Sequence, residues 1–173
     1  MKNWFLEQLA MYSAYHRDGR NQATHHIGVP MIVFSLLVIT SPVVLFTLEV
    51  GTVSLAAVLI TVLLLYYLLN APLIGTIAVL LYGALLYAAN LMALEGSAFA
   101  LKSGAMLFVI GWIIQFTGHV FEGRKPALFD NFTQVFIAPA FLIAEVLFLI
   151  GLEGALKADV EARAQKYMPV AKT

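Results

Sequence analysis

From residue 30 onward the chain alternates long apolar runs with short polar breaks. Five runs approach the length of roughly 20 residues that a helix needs to cross a hydrocarbon core of about 30 Å: Met31 to Val50, Thr52 to Leu69, Leu73 to Leu94, Ala105 to Phe121 and Phe132 to Leu152. The breaks fall at Gly51, at Asn70-Ala71-Pro72, from Glu95 to Gly104 and from Gly123 to Asn131, where Gly, Pro and polar residues interrupt helical backbone. The first two links are short enough to make successive helices antiparallel neighbours. Ahead of the first run, Trp4, Phe5, Leu9, Tyr12, Tyr15 and His16 recur at helical spacing while Glu7, Ser13 and Arg17 fall on other faces. That pattern predicts an amphipathic helix at a membrane interface. After Gly154 the chain turns charged, from Lys157 to Lys172, which predicts a short surface helix and a disordered end. The fold class is therefore all-α: a polytopic membrane helical bundle of about five hydrophobic segments plus an N-terminal interfacial amphipathic helix. With no repeat or low-complexity linker, 1–173 reads as a single membrane domain, in which 1–29 holds interfacial helices, 30–152 the bundle and 153–173 the charged tail.

Composition agrees with a bilayer as the solvent. Hydrophobic residues make up 61% of the 173 and charged ones 12%, with a mean hydropathy of +0.89, too little polar surface to coat a soluble globule. A formal net charge of zero provides no basic field for a phosphate backbone, so no nucleic acid is expected as a partner. Cysteine is absent, which removes disulfides, thiolate ligands and Cys nucleophiles together. Met1 to Val29 is polar, with Glu7, Arg17, Asp18 and Arg20 where a cleavable leader would carry its apolar stretch, so the first run is expected to stay as an anchor.

Lys and Arg orient the bundle. Lys2, Arg17 and Arg20 precede the first span, none lies in the next two links, Lys102 lies in the third, and Arg124 and Lys125 follow the fourth. The positive-inside rule puts the N-terminus in the cytoplasm, and four crossings then bring the polar ends before residue 30 and after residue 118 to one cytoplasmic face. A full fifth crossing would place Lys157, Arg163, Lys166 and Lys172 outside against the same rule. Pro139 and Glu145 within that segment instead suit a bent or re-entrant helix, or one packed on protein; the side of the C-terminus stays open.

All four histidines gather at that predicted face. His16, His25 and His26 precede the first span and His119 follows the fourth, with Glu122 three residues on. On an unbroken helix the nine steps from His16 to His25 amount to about 900° and put the two rings on opposite faces. A break is required, and Asp18-Gly19 offers the turn, with Asn21 as the N-cap of a second short helix. Tyr12 and Asn21 are then placed to hold the outer nitrogens of ligating imidazoles. His26 points about 100° away from His25. His119 and Glu122 stand side by side on one helical face, as in helical-bundle metal sites. Gly118 leaves room for a close neighbour, and Arg124 and Lys125 can hold an anionic headgroup. His16, His25, His119 and Glu122 are thus the metal-ligand candidates, with Glu122 either a ligand or the partner that orients His119. Two or three neutral histidines with one carboxylate match non-haem Fe(II) oxygenases; zinc accepts the same donors. A zinc-dependent membrane hydrolase, or a non-catalytic lipid-binding or transport protein, is the alternative. Asn131-Phe132-Thr133 fits a glycosylation acceptor, although on this topology it faces the cytoplasm.

At these residues the chain resembles a family: the membrane-bound, iron-dependent 2-hydroxy fatty acid dioxygenases of fatty acid α-oxidation, typified by a fungal endoplasmic reticulum enzyme. The resemblance runs from about Tyr12 to Leu152. It is carried by Tyr12, His16, Asn21, His25 and Pro30, and by Gly118-His119, Glu122, Pro126-Ala127-Leu128, Gln134, Ala138-Pro139 and Glu145. His26 matches no histidine of the pattern, and Lys125 stands where Arg is usual, which leaves Arg124 as the cation to steer a carboxylate. The resemblance implies an Fe2+ cofactor, with 2-hydroxy fatty acid and molecular oxygen as substrates and loss of one carbon as the reaction. Its catalytic residues here would be Glu122, Arg124, Tyr12 and Asn21. The location it implies is a bacterial inner membrane or the endoplasmic reticulum membrane, with the metal on the cytoplasmic side. Chain-length preference and oligomeric state leave no trace in the sequence.

Overall fold

The computed structural model describes residues 2–49 and 51–169, so Lys172 of the charged tail lies outside the described residues. Helices α1 (Asn3–Ala14), α2 (Gly19–Thr40), α3 (Leu55–Asn70), α4 (Pro72–Ala93), α5 (Ser97–Glu122), α6 (Gln134–Leu149) and α7 (Gly154–Ala164) carry the fold. Between α2 and α3 lies a hairpin of β1 (Val44–Leu48) and β2 (Gly51–Ser54). α2, α4 and α5 are long and apolar enough to cross a membrane, and α6 with α7 passes the same test as one bent pair. The all-α membrane reading holds; its span boundaries change.

The largest change concerns the first run. Its helix begins at Gly19, well before Met31, and stops at Thr40. Pro42 offers no N–H and disfavours helical backbone at Ser41. Beyond it, β1 pairs antiparallel with β2, Phe46 opposite Val53 and Leu48 opposite Gly51, with an irregularity between Val44 and Phe46. β-branched Val44, Thr47, Thr52 and Val53 suit that pairing. The second run becomes α3, at 16 residues shorter than a crossing.

The chain divides into two compact units, Met1–His26 with Gln115–Thr173, and Ile27–Ile114; α2 and α5 contribute a segment to each. In the second unit, Pro72 opens α4, where its missing N–H costs nothing. A Cβ on Gly75 would meet the Leu68 backbone nitrogen at 2.5 Å, so α4 starts in backbone contact with the end of α3. α2 and α5 also approach closely and antiparallel: a Cβ on Gly104 would lie 2.6 Å from Ile39 Cγ1, and one on Gly111 2.7 Å from Ile32 Cγ1. Val38, Ala56, Tyr67, Tyr82 and Ala89 are buried, while Leu65, Leu69, Leu80 and Leu94 are exposed, the outward apolar surface that lipid tolerates and water does not.

In the first unit, α1 packs against α6 and α7 and buries Phe5, Leu9 and Ala10. The apolar stripe expected to lie on a membrane surface therefore faces protein. Small residues allow the approach, with Ala10, Ala14, Tyr15, Ala127 and Ala164 in one cluster. Glu7 clamps the outer edge, accepting from Tyr167 Oη at 2.8 Å, Arg163 Nη1 at 3.1 Å and Lys166 Nζ at 3.1 Å. These bonds, Tyr167's foremost, hold its carboxyl below the ordinary 4.5. Gln8 Oε1 accepts from Asn131 Nδ2 at 2.8 Å, Thr133 Oγ1 at 3.2 Å and Gln134 Nε2 at 2.8 Å, which anchors the start of α6 on α1 and occupies the Asn131 amide. α6 is buried from Ile137 through Glu145. It runs on through Pro139, and the bend comes later: the helix direction turns by 120° between α6 and α7, through Gly151 at φ 80 and Glu153 at φ 57. The fifth segment is thus bent and packed on protein.

Candidate metal centre

The site begins with the break between α1 and α2. Asp18 Oδ1 accepts from the Arg20 backbone N–H at 2.8 Å, so Asp18 caps α2 and Asn21 lies inside it, a correction to the expected cap. Arg20's guanidinium also binds Asp18, at 3.0 and 2.7 Å, and brings that carboxyl down to about 2. The turn lets α2 fold back, and the nine-residue problem disappears: His16 Nε2 and His25 Nε2 stand 3.1 Å apart. The His119 ring centroid lies 5.2 Å from that of His16 and 5.0 Å from that of His25. One ligand atom from each of the three lies within 4.8 Å of the others, and the residues are 3%, 3% and 7% exposed.

Backbone carbonyls decide which nitrogens face inward. His16 Nδ1 lies 2.7 Å from the Tyr12 carbonyl and His25 Nδ1 2.9 Å from that of Asn21. A carbonyl only accepts, so each Nδ1 carries the proton and each Nε2 presents a lone pair. Burial, and after it the charge that His25 would carry, pushes the His16 imidazole well below the ordinary 6.5, which keeps the ring neutral. Two lone pairs facing each other at 3.1 Å repel unless a cation takes both. Nitrogens bound about 2.0–2.1 Å from one ion stand roughly 3 Å apart. His119 adds a buried Nδ1 with no partner at hydrogen-bonding geometry. The donor set fits a divalent metal ion.

Around the rings, each sequence candidate has a definite place. Tyr12 stacks on His16 with centroids 4.0 Å apart and planes 8° off parallel, and Phe141 stands beside the pair, 4.7 Å from Tyr12 and 6.5 Å from His16. Glu122 accepts from Arg17 N at 3.0 Å, Asp18 N at 2.9 Å and Asn21 Nδ2 at 2.9 Å. It pins the α1–α2 turn and does not belong to the three-histidine group. Asn21, fully buried, holds Glu122 with its amide and His25 with its carbonyl. A Cβ on Gly118 would collide with Thr24 Oγ1 and lie 2.5 Å from Asn21 Oδ1, the close neighbour that this glycine was expected to admit. Arg124 spends its donors on protein: Nη1 on the Ala14 carbonyl and Nη2 on that of Tyr167, both at 2.9 Å, with the guanidinium 3.3 Å over the Tyr15 ring. Lys125 pairs with Asp130. His26 turns from the cluster to Glu145, Nε2 to Oε2 at 2.8 Å, giving the carboxylate inside the apolar run its interior partner. Gln115, buried one turn before His119 with Oε1 unpaired, escapes a reading built on histidines and charges; its spacing of four from His119 is the signal.

Apolar helices of membrane-crossing length and a buried cluster of three imidazoles, two of them oriented by carbonyls, define the class: a helical membrane protein built around a candidate metal centre. The family model described as 2-hydroxy-palmitic acid dioxygenase Mpo1-like matches residues 2–150, so the chain belongs to the Mpo1-like family. The 2-hydroxy-palmitic acid dioxygenase MPO1 of Saccharomyces cerevisiae is 39% identical over 156 residues, 89% of this chain and 86% of the relative. No solved structure matches.

Proposed function

We propose that the protein is an Fe(II)-dependent dioxygenase that removes C1 from 2-hydroxy fatty acids at a membrane surface. The observation that carries this is the convergence of three buried imidazoles, two with lone pairs 3.1 Å apart, in a family whose yeast relative is named for dioxygenation of 2-hydroxy-palmitic acid. His16, His25 and His119 would hold the ion. Bound there, iron(II) would supply open positions at which oxygen and the carboxylate and hydroxyl of the acid are held together.

The remaining roles belong to the chain. Tyr12 orients His16 through its carbonyl and its ring, and with Phe141 it walls the rings from water. Asn21 orients His25, and Glu122 holds the turn that brings His16 inward; its three donors favour the orienting role over ligation. Arg124 fixes the chain just before His16 through Ala14 and Tyr15. Its charge also bears on the His16 ring, so it draws an anionic headgroup although its donors are engaged. The substrate's alkyl tail takes the lipid side, which is the physical reason for an enzyme of this kind to be a membrane protein. We place the site on the cytoplasmic face, at a bacterial inner membrane or the endoplasmic reticulum, because Lys2, Arg17, Arg20, Arg124 and Lys125 flank it.

The test is metal analysis of the purified full chain, with oxygen uptake on 2-hydroxypalmitate. Stoichiometric metal and iron-dependent uptake are expected, and His119→Ala should lose the metal and at least about a hundredfold in rate while keeping its helix content. Folded protein that binds no metal, or full zinc occupancy without oxygen consumption, would overturn the reading.

A further inference from the structure

Gln115 carries a buried amide oxygen without a hydrogen bond. The residue is 7% exposed and its Oε1 is buried with no partner, inside a helix long and apolar enough to cross a membrane. A polar group at that depth is costly unless something pairs with it, and buried orphans of this kind call for an explanation.

Helix geometry says what it faces. Gln115 precedes His119 by one turn, about 6 Å further from the polar end of α5 and about 40° around the axis. Its azimuth falls between that of His119, which reaches the cluster, and that of Gly118, which touches Asn21 and Thr24. α2 and α5 are antiparallel, so stepping back three residues from Gly118 moves forward about three along α2, to the level of His25. The amide thus borders the imidazole cluster on its apolar side, where the second carbon of a fatty acid would enter after its headgroup.

We propose that Gln115 is a specificity-determining residue that reads the substrate's 2-hydroxyl. This rests on the function proposed above. An ionised 2-hydroxy fatty acid has a single hydrogen-bond donor, the hydroxyl; its carboxylate only accepts. The unpaired group at Gln115 is an acceptor, so it is satisfied by a 2-hydroxy acid and left orphaned by the plain acid. A site built in this way rejects the analogue that lacks the hydroxyl.

The test compares 2-hydroxypalmitate with palmitate on the iron-loaded full chain, as anaerobic binding and as oxygen uptake. Wild type should bind the hydroxy acid more tightly than palmitate, and Gln115→Leu should cut that preference about tenfold by weakening the hydroxy acid alone. Metal content should stay at the wild-type level, and KM should rise more than kcat falls. Gln115→Met serves if the leucine variant does not fold, and Gln115→Asn, a methylene short, should keep a fraction of the preference. Equal weakening of both acids would make Gln115 a packing residue and overturn the proposal, as would no change in either. If the variant loses that share of the preference, yet oxygen uptake is absent in wild type, the assigned reaction fails and the role of Gln115 stands.

Discussion

The two units of the chain position their side chains by different means. Residues 27–114 contain only three charged side chains, Glu49, Glu95 and Lys102. There the hydroxyls and amides of Ser35, Thr40, Asn70, Thr76 and Ser103 bond back to their own helix backbone. Shape does the positioning, through Gly75, Gly104 and Gly111. In the other unit, residues far apart in sequence are joined by directional bonds: Glu122 to the 17–21 turn, His26 to Glu145, Gln8 to the 131–134 corner and Glu7 to the segment after Ala164. Apolar packing places a helix to within its rotamers, but a nitrogen lone pair must be aimed, and aiming takes donors and acceptors. The contrast predicts where substitutions reach the metal centre.

Glu122→Gln should do the most damage short of removing a ligand. The amide keeps one acceptor but sets its NH2 against N–H donors, and about 2–4 kcal/mol of stability should be lost, with weaker metal binding because the His16 turn loosens. Denaturant unfolding and metal titration of the detergent-solubilised protein read both; unchanged metal affinity would detach Glu122 from the site. Next comes a matched pair. Gly118→Ala and Gly104→Ala each force a methyl into a helix contact closer than 3.0 Å, so each should cost about 1–3 kcal/mol. Only Gly118→Ala, which pushes on Asn21, should also weaken the metal. Equal metal loss in the two variants would erase the distinction between the units. The smallest effect is Glu7→Gln. Because folding lowers the Glu7 carboxyl below 4.5, its contribution is present above that value and fades as pH falls through the folded one. The protection factors of the α7 amides, which correct for slower intrinsic exchange in acid, should fall in wild type from about pH 6 to about pH 3.5, and in Glu7→Gln should start lower and change less.

Much of the site was legible because its chemistry sits in a sparse background. With four histidines in an oily chain, a topology drawn from Lys and Arg alone brought the right ends together, and the spacing of His16 and His25 demanded the break that Asp18 supplies. Glu145 was readable as a carboxylate in need of an interior partner, which His26 provides. Less was legible where two structures share one composition. Val44 to Leu48 are apolar in a strand as in a helix, and only Ser41-Pro42 with β-branched neighbours separates the cases. The start of α2 was legible to within a few residues from Asp18-Gly19 and Asn21, but its unbroken run through Pro30 into the apolar segment was not, because a polar first turn and a proline read as a boundary. The role of Arg124 turned on the carbonyls of Ala14 and Tyr167, which backbone folding brings near and no side-chain pattern announces.

Each of the first two imidazoles takes its orientation from the carbonyl one helical turn earlier, Tyr12 for His16 and Asn21 for His25. A carboxylate in that position would make the ring a more basic donor; a peptide oxygen does so less. An ion held by these rings should therefore exchange more readily than one held by carboxylate-backed imidazoles, so that chelator treatment removes it from otherwise intact protein and titration with metal restores it.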